Sequence, residues 1–132
     1  MNLSRSKLLK TPSMVFPMKP TAFKRDVLAR NLSYLMKKNE VSERTLEKLS
    51  GVSQKQINNI RNEVHTPSLD TIEKIATVFG IAGWHMIMPE LPESLLESPA
   101  IENLVKSYTK ASEEGREVIL KLAEREGKYG GK

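Results

Sequence analysis

The stretch VSERTLEKLSGVSQKQINNI, residues 41–60, contains two helix starts with a glycine between them. Ser42 and Ser53 each stand where a helix N-cap is expected, and each follows a valine that can pack against an apolar residue at the fourth helical position. Gln56 completes a capping-box pattern with Ser53. Gly51 follows the first predicted helix, where a left-handed turn favours a residue without a side chain. The pattern predicts two short helices joined by a tight bend, which is a helix-turn-helix.

The second helix of this pair has a polar outer face. Ile57 and Ile60 lie three positions apart and are expected to point inward. The face that remains carries amide and basic side chains and no acid, namely Gln54, Lys55, Asn58 and Asn59. Amides pair bidentately with adenine, lysine donates to guanine, and a helix fits the major groove. We interpret these four residues as candidate DNA base contacts, and the alternative is a solvated polar helix face.

At these residues the chain resembles the phage repressor and Cro helix-turn-helix family, also called the XRE family. The resemblance covers about residues 22–91 and is carried by LSGVSQKQINNI, by TPSLDTIEKIATVFGI and by the segment with Trp84. It implies an all-α fold with a five-helix, lambda-repressor-like DNA-binding domain, to which the residues after Pro92 are expected to add a C-terminal helical hairpin extension. In the family, the first, second and sixth positions of the recognition helix reach base edges. The matching residues here are Gln54, Lys55 and Asn59, and Asn58 is a weaker candidate.

The resemblance also implies contacts to the DNA backbone at the motif helix starts and after the recognition helix. The residues expected to make them are Ser42, Arg44, Ser53, Arg61, Asn62, His65 and Thr66. Three acids depart from the family pattern. Glu43 stands where the family often has an amide that contacts a phosphate, and Glu47 stands where alanine is common. Glu63 replaces a glycine, and Asn62 is expected to take the left-handed turn instead.

Length and composition indicate a small binding protein. The chain has 132 residues and no cysteine, so one domain with extensions is expected, without disulfides or thiolate chemistry. No signal peptide is visible, and no segment approaches the ~20 apolar residues of a membrane span. We therefore expect a cytoplasmic location, associated with the nucleoid through DNA, and no membrane partner.

The net charge of +5 is concentrated toward the N-terminus. Residues 1–20 carry four basic residues and no acid, namely Arg5, Lys7, Lys10 and Lys19. Residues 21–91 have ten basic and eight acidic groups, and residues 92–132 have seven and eight. We expect residues 1–20 to be a basic, flexible arm that lies on DNA phosphates. The alternative is a disordered terminus without a DNA contact.

Apolar spacing predicts the helices around the motif. A first helix is expected from about Ala22 to Asn39, with a buried stripe of Phe23, Val27, Leu28, Leu32, Leu35 and Met36. Ser68 is expected to cap another helix that ends near Phe79 at Gly80, with a stripe of Leu69, Ile72, Ile75, Ala76 and Phe79. A short fifth helix would hold Trp84 as a core anchor, together with Ile87 and Met88.

Residues 92–132 are predicted to form a helical hairpin used for oligomerisation or another interaction. Ser98 and Pro99 open one helix with Ile101, Leu104, Val105 and Tyr108, and Ser112 opens another with Val118, Ile119, Leu122 and Ala123. About 40 residues bury little surface alone, so these stripes are expected to pack on the motif domain (residues 21–91) or on a second copy. The terminal GKYGGK is expected to fray.

Other chemistry has little support in the sequence. His65 and His85 have no partner at metal-ligand spacing, so no metal, cofactor or enzymatic activity is expected. The first hypothesis is a sequence-specific transcriptional regulator, a phage or prophage repressor that binds its operator as a homodimer or higher oligomer. A protein antirepressor or a toxin is a candidate partner, and the sequence does not identify the inducing signal. The second hypothesis is an antitoxin that neutralises a toxin and autoregulates its operon. The third is a helical adaptor without DNA binding.

Overall fold

The computed structural model describes residues 24–130, and within them all regular structure is helical, as predicted. The seven α-helices are α1 Arg25–Lys38, α2 Glu43–Ser50, α3 Gln54–Arg61, α4 Leu69–Val78, α5 Gly83–Met86, α6 Ala100–Lys110 and α7 Glu113–Gly130. A short 3-10 helix, Glu93–Leu95, lies between α5 and α6. The predicted basic arm and Phe23 fall outside the described residues.

The predicted caps form the helix starts. The hydroxyl oxygens of Ser42, Ser53 and Ser68 accept hydrogen bonds from backbone amides three residues on, each at 3.1 Å. Gly51 has φ 79°, and its amide donates to the Glu47 carbonyl at 2.9 Å. The capping box is only half formed, because no hydrogen bond within residues 24–130 returns from the Gln56 side chain to Ser53.

The core is built from the inward faces of α1 to α5. Its fully buried side chains include Leu32 and Leu35 of α1, Leu46 of α2, Ile57 of α3 and Ile75 of α4. Leu91 and Leu96 belong to the same cluster. The packed unit therefore extends past Pro92, and we call residues 24–96 the core unit.

Two residues predicted as core lie on the surface. Leu69 is the first residue of α4 and is 73% exposed, because the buried side of this helix begins at Ile72. Trp84 is 37% exposed, whereas its neighbour His85 is 1% exposed. A helix of one turn directs only part of its residues inward, and in α5 these are His85 and Met86. The Trp84 ring packs edge-on against the His85 ring, with centroids 4.1 Å apart.

The turn after α3 also differs from the prediction. Asn62 keeps φ −101° as the C-cap, and Glu63 takes the left-handed conformation with φ 58°. The amides of Glu63 and Val64 donate to the carbonyls of Ile60 and Asn59, which is the Schellman pattern. Asn62 stays in the cap because its side-chain amide donates to the Asn58 carbonyl at 2.9 Å. The left-handed position therefore falls one residue later.

Helices α6 and α7 form the predicted hairpin. Ser98 and Ser112 accept hydrogen bonds from the amides of Ala100 and Gly115. Arg116 of α7 donates to the carbonyls of Tyr108 and Thr109 at 3.0 and 2.8 Å, which closes the turn. No residue from 97 to 130 is buried. Helix α7 continues to Gly130, so the prediction that the chain frays from Gly127 is wrong as far as Gly130.

Candidate nucleic-acid interface

The outer face of α3 presents polar side chains on a buried apolar base. Ile57 and Ile60 lie in the core, whereas Gln54 and Lys55 in the first turn are exposed. Helix α3 contains no acidic residue. Gln54 and Lys55 therefore offer one amide and one cation, which are the groups that read adenine and guanine edges in a major groove.

Asn59 is half-buried at the other end of this face. It lines a cleft of about 190 Å³ together with Gln56, His65 and Thr66, among others. Arg25 at the start of α1 donates from Nε to the Thr66 hydroxyl at 2.9 Å. The structure thus places three of the predicted contact residues, Asn59, His65 and Thr66, beside one another. It also adds a cation that the sequence does not single out, because these partners are far apart along the chain.

Asn58 and Arg61 are bound to the same carboxylate. Arg61 Nη1 lies 3.0 Å from Glu43 Oε2, and Asn58 Nδ2 lies 3.3 Å from the same oxygen. Asn62 Nδ2 donates to Asn58 Oδ1 at 3.0 Å. Arg61 and Asn58, predicted as a phosphate contact and a base contact, are therefore joined through Glu43, and Asn62, another predicted phosphate contact, is joined to them through Asn58.

The remaining predicted backbone contacts lie at helix starts. Ser42 and Ser53 accept capping hydrogen bonds, and Ser42 also bonds the Thr45 hydroxyl at 3.0 Å. Arg44 is exposed in the first turn of α2. Helix starts carry a partial positive charge, which suits an approaching phosphate at the start of α3, whereas Glu43 adds a negative charge at the start of α2.

Two buried polar side chains connect other elements of the core unit. Asn31 of α1 donates from Nδ2 to the Met86 carbonyl at 2.9 Å, and His85 Nδ1 lies 3.1 Å from the Leu96 carbonyl. They connect α1 to α5 and α5 to the segment after it. Neither role was predicted, although Asn31 lies in the apolar register between Leu28 and Leu35.

The described residues contain no group of three potential metal ligands. Within the same residues, every helix is too short or too polar to cross a bilayer.

Comparison with known proteins agrees with this geometry. Residues 31–82 match the family model of the Cro/C1-type HTH DNA-binding domain. The match begins inside α1 and ends before α5, so it includes both motif helices and α4. No curated protein and no solved structure matches the chain. The predicted resemblance is confirmed, and domains of this type support DNA-binding transcriptional regulation. Residues 31–82 thus form a helix-turn-helix DNA-binding domain of the Cro/C1 type.

Proposed function

We propose that this protein is a sequence-specific transcriptional repressor of the phage or prophage kind, acting by occupying an operator near a promoter. The observation that carries the proposal is the exposed, acid-free first turn of α3, set on two buried isoleucines inside a Cro/C1-type domain. A surface of this composition suits the major groove, where base edges offer hydrogen-bond donors and acceptors.

Sequence discrimination is assigned to Gln54, Lys55 and Asn59. Duplexes selected from a random pool would define the operator. Alanine at any of the three should then cost ~1 to 3 kcal/mol on the selected duplex and much less on random DNA. Lys121→Ala on exposed α7 is the matched control for Lys55→Ala and should leave discrimination intact. Equal losses on both duplexes would contradict the assignment.

Backbone contacts are assigned to the start of α2, the loop after α3 and the arm of residues 1–20. The arm carries four cations and no acid. Its deletion should weaken binding to all sequences and flatten the plot of log affinity against log salt, by about 0.9 for each phosphate that the arm neutralises. An unchanged slope would remove the arm from the interface.

The repressor acts as a symmetric dimer joined by the α6–α7 hairpin. One recognition helix reads few base pairs, and a two-fold axis sets two of them about 34 Å apart. The support is a set of exposed apolar side chains on the hairpin, namely Leu104 and Val105 of α6 and Val118 and Leu122 on one face of α7. A second copy would cover these side chains.

Substitution of both Leu104 and Ile119 by glutamate tests whether the hairpin holds the dimer together. Sedimentation should show monomers whose circular dichroism keeps the helical signal of the core unit. Ser107→Glu, at an exposed polar position of α6, is the control and should remain dimeric. Global unfolding would mean instead that the hairpin belongs to the core.

The same exposed face supports a second candidate, an antitoxin whose hairpin covers a toxin. Co-purification of the untagged protein with the product of a neighbouring gene would favour this candidate. A homodimer that purifies alone and binds the selected operator would favour the repressor.

A further inference from the structure

The carboxylate of Glu43 connects three helices of the core unit. It accepts from Arg61 and Asn58 of α3, and Arg61 Nε donates in turn to Ser33 Oγ of α1 at 3.3 Å. The Glu43 side chain is only 17% exposed although it lies in the first turn of α2. The carboxylate is therefore held against the protein surface between α2 and α3.

The same arrangement engages the Asn58 amide within the protein. Its Nδ2 donates one N–H to Glu43, and its Oδ1 accepts from Asn62. Each of these two atoms can form a second hydrogen bond. Asn58 thus also braces α3 against α2.

We propose that Glu43 occupies the place of a DNA phosphate in the free protein, and that by holding Arg61 and Asn58 it limits binding to DNA of arbitrary sequence. The inference rests on the proposed DNA-binding function. An acid in the first turn of a helix is stabilised by the helix dipole, and here also by Arg61. A phosphate that approaches this helix start meets a negative charge and must replace it as the partner of Arg61.

The expected consequence is weaker binding to DNA of any sequence. Phosphate contacts carry no sequence information, so a complex with random DNA and a complex with the operator both lose the contact of Arg61. The loss in free energy is the same for both complexes. Glu43 therefore lowers the affinity for both duplexes by a similar factor.

The test is Glu43→Gln in the full chain, which removes the charge and keeps the size of the side chain. The matched control is Glu97→Gln, because Glu97 also holds a cation and an asparagine amide. Lys38 Nζ lies 2.9 Å and Asn39 Nδ2 lies 3.2 Å from its oxygens, at the end of α1 and not on α3. Both substitutions change the net charge by the same amount.

Affinity for a random duplex would be measured by fluorescence anisotropy over a salt series. Glu43→Gln should bind about five- to tenfold more tightly and steepen the slope of log affinity against log salt by about 0.9, as one additional neutralised phosphate would. Glu97→Gln should change the affinity less than about twofold, since its charge lies away from α3. Affinity for the operator should rise by a similar factor, because the same phosphate contact is added to both complexes.

A second experiment tests whether the gain in DNA affinity comes from Arg61. Arg61→Ala should cost more affinity in the Glu43→Gln background than in the native chain, because only there is the guanidinium free of the carboxylate. Equal costs in the two backgrounds would overturn the inference, as would equal gains from Glu43→Gln and Glu97→Gln. Glu43→Ala, with helicity checked by circular dichroism, replaces Glu43→Gln if that variant does not fold.

The experiment separates this inference from the proposed function. If no duplex is preferred over random DNA but Glu43→Gln still binds more tightly, sequence-specific repression is wrong and the role of Glu43 stands. If the native chain prefers its operator and Glu43→Gln behaves like the control, the reverse holds. An absence of DNA binding by every variant at low salt overturns both.

Discussion

The core unit of residues 24–96 and the hairpin of residues 97–130 contain the same types of apolar residue. The core unit buries them, whereas the hairpin leaves most of them exposed. Leu32 of α1 is fully buried, whereas Leu104 of α6 is 50% exposed. Both belong to apolar stripes at helical spacing, which the sequence shows equally well. Periodicity identifies the face of a helix that needs a partner, and only the tertiary structure shows whether the same chain supplies one. The core unit buries its own apolar stripes, whereas the hairpin packs Ile101 on the core cluster and leaves most of its other apolar side chains exposed.

The largest expected difference between the two regions comes from removing one leucine side chain in each. Leu32→Ala should lower the free energy of unfolding by about 3 to 5 kcal/mol, because it leaves a cavity among buried neighbours. Leu104→Ala should cost less than about 1 kcal/mol at low protein concentration, since half of that side chain is already in water. Urea unfolding of both variants measures the difference. Equal losses would mean that the hairpin is packed as tightly as the core.

A second pair of substitutions compares a buried asparagine of the core unit with an exposed asparagine of the hairpin. Asn31→Leu should destabilise the protein by about 1 to 3 kcal/mol, because the buried Met86 carbonyl loses its donor. Asn103→Leu, on an exposed face of α6, should change stability by less than about 0.5 kcal/mol. Thermal unfolding of the pair provides the measurement. A neutral Asn31→Leu would show that this hydrogen bond does not hold α5 on α1.

Substitution by glycine should change the free energy of unfolding in opposite directions in the two regions. Glu40 has φ 53° in the turn after α1, so Glu40→Gly should relieve strain and stabilise the core unit by about 0.5 to 1 kcal/mol. Glu117→Gly, inside α7, should destabilise that helix by a similar amount, about 0.5 to 1 kcal/mol. Denaturant midpoints would report both changes. Midpoints that shift in the same direction for both variants would contradict the argument from backbone conformation.

The smallest expected effect concerns the ion pair between Lys38 and Glu97, where the core unit meets the hairpin segment. The hydrogen bond and the charge of Glu97 raise the pKa of Lys38 above its ordinary value of 10.5. The contribution of the pair is complete below that value and is lost as the pH rises through the raised pKa of Lys38. The stabilities of the native chain and Glu97→Gln should therefore converge above pH 10.5. Parallel curves would show that the pair adds nothing.

Local signals in this sequence predict local structure well. The serine caps, the bend at Gly51 and the inward direction of Ile57 and Ile60 each depend on residues within about one helical turn. All were predicted, and the motif and its outward face follow from them. The residues assigned to base and phosphate contact remain predictions until binding is measured.

The predictions that failed have two kinds of cause. Spacing alone does not show that the one-turn helix α5 buries His85 and exposes Trp84, because that depends on how α5 packs on the core. The left-handed residue moved to Glu63 through a local contact that the pattern did not include, the hydrogen bond from the Asn62 side chain to the Asn58 carbonyl. The pairing of Glu43 with Arg61 also depends on packing between helices. Two charges 18 positions apart are brought together only when α2 and α3 have packed.

The anchoring of Leu96 limits how far the hairpin can move from the DNA-reading surface. Leu96 is buried and its carbonyl faces His85, while α6 already begins at Ala100. Four Cα steps reach at most about 14 Å, and the turn at Ser98 shortens this path. A dimer joined through the hairpin would therefore hold its two recognition helices at a nearly fixed distance and orientation. Inserting about five base pairs between operator half-sites would rotate one of them to the opposite side of the duplex, beyond the reach of so short a connection.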